Sequence, residues 1–119
     1  MQKEFGLLLT EKRMERKVPL KELATALQIS PAYLCDIEKG RRYPPAKEKL
    51  DQIADIFQLT KEERIYMYDL AAFAKEGSVS ADLVLYIMEN EILRDFLRKA
   101  QEIGLTDEDW KELMTALEK

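Results

Sequence analysis

The sequence predicts an all-α fold, and three observations carry that prediction. Gly and Pro number four each in 119 residues, and apart from Gly6 they fall where helices have to break. Apolar residues recur at three- and four-residue intervals. No segment reads as an alternating strand bounded by turns, and no internal repeat is found. A chain of this length, 46% apolar and 35% charged, is one ordinary domain, or a small domain with an appendage. It is long enough to bury a core without disulfides or metals.

The first helix is expected over about residues 2–16, with Phe5, Leu8, Leu9 and Met14 as its apolar side. Val18-Pro19 ends it and leads into a second helix over about 20–27, where Leu20, Leu23, Ala24 and Leu27 form the inward stripe. Ser30 is a good N-cap and Pro31 suits the first helical position, so a third helix runs from there to about Lys39. Gly40 is a natural stop, and Pro44-Pro45 forbids quick re-entry. A fourth helix, about 46–57, buries Leu50, Ile53, Ala54 and Phe57. Thr60-Lys61-Glu62-Glu63 is a capping box that opens a fifth helix reaching about Lys75.

Glu76-Gly77-Ser78-Val79 reads as a linker. Ser80 is expected to cap a long apolar segment over about 81–103, the alternative being a break near Glu89–Glu91. Gly104 ends that segment. Thr106-Asp107-Glu108-Asp109 then opens a last helix with Trp110, Leu113, Met114 and Leu117 on one face. The expected organisation is a domain over 1–76 and a helical hairpin over 80–119.

Composition excludes whole classes of chemistry. Histidine is absent and Cys35 is the single cysteine, which rules out Ser-His-Asp and Cys-His nucleophiles, His-based zinc sites and an internal disulfide. Carboxylates are plentiful but lie on expected exposed helix faces, with no Gly-rich phosphate loop. No catalytic residue, metal site or cofactor is expected, so the chain reads as a non-enzyme. The longest apolar run is Leu83–Met88, against the roughly 20 residues needed to span a bilayer. With no secretory signal either, the expectation is a cytoplasmic protein without a membrane partner.

The net charge of −4 is unevenly distributed. Residues 1–50 hold 11 Lys/Arg against 7 Asp/Glu, and residues 51–119 hold 8 against 16. A basic front suits a polyanion, while an acidic back suits solubility or a different partner.

The informative segment is Leu20–Pro45, LKELATALQISPAYLCDIEKGRRYPP. Two short helices are joined by about three residues, with Ala24 where they cross and apolar anchors at Leu23, Leu27, Ile29, Leu34 and Ile37. That is the spacing of a DNA-binding helix-turn-helix, whose second helix enters the major groove. The segment resembles the lambda repressor-like, Xre-type helix-turn-helix proteins. The resemblance rests on Leu23-Ala24, Ile29-Ser30, Tyr33-Leu34, Asp36-Ile37-Glu38, Gly40-Arg41-Arg42 and Pro44, and covers about residues 3–72. It implies a five-helix domain that acts as a homodimeric regulator, commonly a repressor, on a palindromic operator in double-stranded DNA. Many small regulators of Gram-positive bacteria and their mobile elements look like this.

Two departures limit the carry-over. Positions that the family often fills with Gln, at the starts of its second and third helices, are Leu20 and Pro31 here. The turn position usually held by Gly is Gln28, which has to take a left-handed or otherwise uncommon backbone. A base code is therefore not transferable.

Residue roles follow from the helical register. Leu34 and Ile37 face inward, leaving Pro31, Ala32, Cys35, Asp36 and Lys39 outward and Tyr33 at the boundary. Ala32, Tyr33 and Asp36 are the base-contact candidates, Ala32 for a thymine methyl and Asp36 for a cytosine amine. Phosphate binding and packing on the second helix are the other roles open to Tyr33, and a solvated charge or an ion pair with Lys39 are the other roles for Asp36. Lys17, Lys21, Lys39, Arg41 and Arg42 are assigned to phosphate. Glu38 is expected to tie the turn after the third helix, and Cys35 to be an inert thiol.

Beyond the first domain, Phe96-Leu97, Ala100, Gly104-Leu105-Thr106 and Trp110-Leu113 are similar to the helical hook of the Sin-type repressors. That similarity implies self-association or capture by an antagonist. The expected dimer or partner interface is Leu83, Tyr86, Ile87, Phe96, Leu97, Trp110, Leu113 and Leu117, unless these helices pack back on their own domain. An antitoxin or anti-repressor, whose acidic helices capture a toxin or other protein, is the alternative reading.

Overall fold

A computed structural model describes residues 2–119, with side chains from Glu4 onward. Among these residues the regular structure is entirely helical: α1 (Gln2–Glu15), α2 (Leu20–Leu27), α3 (Pro31–Glu38), α4 (Lys47–Ile56), α5 (Lys61–Phe73), α6 (Val84–Met88), α7 (Glu91–Ile103) and α8 (Asp107–Leu117). None of these helices is long and apolar enough to cross a membrane. The chain divides into two compact units, residues 1–84 and 85–119.

The first unit is built around Phe5 and Leu9 of α1, Leu23, Ala24 and Leu27 of α2, Leu34 and Ile37 of α3, and Leu50, Ile53 and Ala54 of α4. Phe57, Leu59, Met67, Tyr68 and Leu70 complete this core. The stripes expected for α2, α3 and α4 are the buried ones. Met14 departs from expectation: it is exposed, because the inward face of α1 runs through Phe5 and Leu9 and has turned away by the last turn.

Helices α1 to α4 all end in the same way. Lys17, Gln28, Gly40 and Gln58 take positive φ angles of 54°, 59°, 75° and 51°. At α2 the Gln28 N–H donates to the Thr25 carbonyl (3.1 Å) and the Ile29 N–H to that of Ala24 (3.0 Å). The same paired bonds close α1, α3 and α4, satisfying carbonyls that a helix end leaves orphaned. Val18, Ile29 and Leu59 follow three of these residues and pack into or against the core. Those apolar anchors hold the uncommon backbone in place at the non-glycine positions.

Two contacts seat α3 against α1. A Cβ on Gly6 would lie 2.2 Å from the Glu38 carbonyl oxygen, so the two backbones meet directly there. Further along, Arg13 Nε and Nη2 donate to the Glu38 carboxylate at 2.8 and 3.1 Å, and Nη1 donates to the Val18 carbonyl at 3.0 Å. Glu38 therefore does not tie the turn after α3, as expected, but reaches across to α1. The Arg13 guanidinium is the stronger donor within reach. On the opposite side Lys12 Nζ donates to Glu63 at 2.6 Å, joining α1 to the capping box of α5.

After α5 the chain stays with the first unit. The Ser80 hydroxyl donates to Asp69, and Ala81 packs against the core. Ser80 is thus a tie to α5 rather than the cap of a long helix. The segment 81–103 is also not continuous: α6 is short, Glu89 and Asn90 interrupt it, and α7 begins at Glu91. The break near Glu89–Glu91, given as the alternative above, is the one observed.

In the second unit, α7 turns at Gly104 (φ 78°) into α8, which Thr106 and Asp109 open through a reciprocal capping box. Phe96 and Trp110 meet edge to face, with ring centroids 6.1 Å apart. Arg94 donates to the Ile87 and Met88 carbonyls, which closes the end of α6.

Candidate nucleic-acid interface

The turn between α2 and α3 is set by Gln28-Ile29-Ser30. Ser30 accepts the Tyr33 N–H at 3.0 Å and Pro31 takes the first helical position, as expected for a capped start. With Leu34 and Ile37 buried against α2, the helix has one surface left, and it faces solvent.

Most of the side chains expected to point outward do so. Pro31, Ala32, Tyr33 and Lys39 are exposed, and so are Arg41 and Arg42 beyond the helix. Lys17 and Lys21, at the start of the helix-turn-helix, are exposed as well. Cys35 and Asp36 are half-buried.

Asp36 has partners that its register does not suggest. Its carboxylate lies 3.6 Å from Arg41 Nη1 and 3.8 Å from Arg42 Nε. Lys39, the expected i+3 partner, makes no ion pair with it. The left-handed turn at Gly40 reverses the chain, and the Arg41 N–H donates to the Asp36 carbonyl at 2.8 Å. Both arginines are thereby carried back over the end of α3. Arg42 also stands over the Tyr33 ring, 4.8 Å from its centroid, so the ring carries a cation rather than packing on α2 alone. Tyr33, Asp36, Arg41 and Arg42 thus form one cluster at the exposed end of α3.

Sequence reasoning missed the arrangement that supports this cluster. Arg13 and Glu38 are 25 residues apart and sit on helix faces that look solvated in isolation. Their side chains are only 13% and 8% exposed. The clue available was Gly6, a poor helix former placed where another backbone must approach. Arg41 and Arg42 suit phosphate by sequence, but their link to Asp36 depends on the turn that Gly40 permits.

Residues 4–65, just over half of the chain, match the helix-turn-helix domain family. The ImmF control region 10 kDa protein of Bacillus phage phi105 is 42% identical over 57 residues, covering 48% of this chain and 62% of that protein. The chain thus spans less than two thirds of the phage protein's length. The HTH-type transcriptional regulator DdrOP3 of Deinococcus deserti is 28% identical over 93% of both chains. No solved structure matches significantly. The chain belongs to the helix-turn-helix domain family, with the Xre-type resemblance of residues 20–45 at its centre.

Proposed function

We propose that this chain is a sequence-specific transcriptional repressor that works in the cytoplasm as a homodimer on a palindromic operator. The observation that carries this reading is the exposed face of α3, braced on α2, with a cationic cluster at its end. In this reading α3 of each protomer enters the major groove, and the two grooves lie about one helical turn, roughly 34 Å, apart. Ala32, Tyr33 and Asp36 meet base edges, while Lys17, Lys21, Lys39, Arg41 and Arg42 meet phosphates. The relatives support a regulatory role: one belongs to a phage control region and the other is a transcriptional regulator by name.

The test is fluorescence anisotropy of the full chain on its own promoter and on random duplex. Tighter binding to the promoter by tenfold or more, weakening steeply with salt, is expected. Equal affinities would overturn sequence specificity.

A second reading, capture of an antagonist or toxin protein, is favoured by the apolar side chains of the second unit. Phe96, Leu97, Trp110, Leu113 and Leu117 are exposed, as are Leu83 in the first unit and Tyr86 in α6, while Ile87 is half-buried. Light scattering separates the two. A dimer that becomes monomeric when the chain is cut after Val84 supports self-association through residues 85–119. A monomer in both cases favours the second reading.

A further inference from the structure

Asp36 is the one acidic side chain on the exposed face of α3, because the other acid of that helix, Glu38, is held by Arg13. It is set against the two arginines best placed to reach a phosphate. An acid there is costly for a surface that approaches a polyanion, unless it does something for recognition.

The geometry gives it such a role. Arg41 and Arg42 are 66% and 54% exposed and extend beyond α3, with Asp36 between them and the helix. The Tyr33 ring holds Arg42 from a second side. When these guanidinium groups turn to phosphate oxygens, the carboxylate loses both partners and is left facing the duplex. On an arbitrary sequence nothing replaces them. Where a base edge offers an exocyclic amine, as cytosine and adenine do in the major groove, that amine donates to the carboxylate. The loss of the arginines is then compensated.

We propose that Asp36 is a specificity-determining residue that holds Arg41 and Arg42 away from phosphate until a base-edge amine takes their place. The assignment rests on the DNA-binding reading. It goes beyond it in making the acid a brake on binding to the wrong sequence. Asp36 thus discriminates mainly by weakening non-cognate complexes.

The experiment uses the full chain and a random-sequence duplex of about 20 base pairs, with affinity measured across a salt series. Four proteins are compared: wild type, Asp36→Asn, Arg41→Ala/Arg42→Ala, and the triple variant. Asn keeps the shape of Asp and removes the charge, and thermal melts check that each variant is folded. Asp36→Asn is expected to tighten random-duplex binding about fivefold, the scale of two exposed ion pairs. Its salt dependence should steepen by about one counterion. In the Arg41→Ala/Arg42→Ala background the same change should have less than a twofold effect.

An equal gain in both backgrounds would overturn the proposal, because the acid would then act by repelling phosphate directly. No gain in the wild-type background would overturn it too. If the wild type binds no duplex with salt-dependent affinity, the DNA-binding reading fails and takes this assignment with it. If the wild type binds and Asp36→Asn gains nothing, only the assignment fails.

Discussion

Residues 1–84 and residues 85–119 use similar helices to different ends. Among the described residues, the first unit buries sixteen apolar side chains to below a tenth of their exposed area, while the second buries Ala100 alone. Helix α7 is nonetheless strongly amphipathic in sequence, with Ile92, Leu93, Phe96, Leu97, Ala100 and Ile103 along it. A folded unit of 35 residues is below the size at which a chain closes a core by itself. The first unit spends its apolar residues on its own stability. The second leaves them at the surface, where Phe96, Trp110, Leu113, Met114 and Leu117 are exposed.

The largest expected effect tests that contrast directly. Phe57→Ala, at a side chain 1% exposed, should cost about 4 kcal/mol in chemical denaturation. Trp110→Ala, at a side chain 38% exposed, should cost less than 1 kcal/mol at protein concentrations too low for association. Comparable losses would mean that the second unit has a core of its own.

Gly6→Ala should cost about 2 kcal/mol, since the added methyl collides with the Glu38 carbonyl and neither backbone can move without shifting a helix. Gly104→Ala is strained by its backbone alone and meets no atom, so its effect should stay within the α7–α8 turn. Circular-dichroism melts of the two variants give the comparison.

The two capping boxes make a finer pair. Thr60→Ala should lower global stability by about 1 kcal/mol, because α5 is packed into the core. Thr106→Ala removes the same hydroxyl-accepted bond from α8. It should speed amide exchange there without moving the main unfolding transition.

The smallest effect is one of pH. Glu63 is held at about 2, below its usual 4.5, first by the Lys12 ammonium and then by the Thr60 N–H. A lowered pKa means that its contribution is complete above about pH 5 and is lost as the pH falls toward 2. The melting temperature of the wild type should therefore fall over that window more than that of Glu63→Gln.

How much of this was legible in the sequence depends on the range of the interaction. Ser30 and Pro31, and Thr60 and Glu63, act within four residues, and each is readable. The inward stripes of α2 to α4 are readable for the same reason. The uncommon backbone of Gln28 is legible only through the family resemblance, which puts Gly at that position. What escaped was long-range or hidden behind a turn: the Arg13–Glu38 pair, the backbone contact at Gly6, and the hold of Arg41 and Arg42 on Asp36. At the site, the exposed positions of Ala32 and Lys39 follow from helical register, which leaves Tyr33 at the boundary, and those of Arg41 and Arg42 from the helix stop at Gly40. Ser80 misled because its hydroxyl suits a cap, whereas Asp69 of α5 takes it instead. Residues 81–103 read as one long segment, with a break near Glu89–Glu91 as the alternative, because hydrophobicity alone does not mark where a helix is interrupted.

The left-handed helix ends at Gln28 and Gln58 point to a practical use. An L-residue in that conformation is disfavoured by about 1 kcal/mol relative to glycine. Neither glutamine belongs to the cationic cluster or to the exposed face of α3. Gln28→Gly and Gln58→Gly together are therefore a route to a hardier protein with an unaltered recognition surface, readable as a higher melting temperature at constant DNA affinity. The chain carries unused headroom for thermal engineering at the joints between its helices.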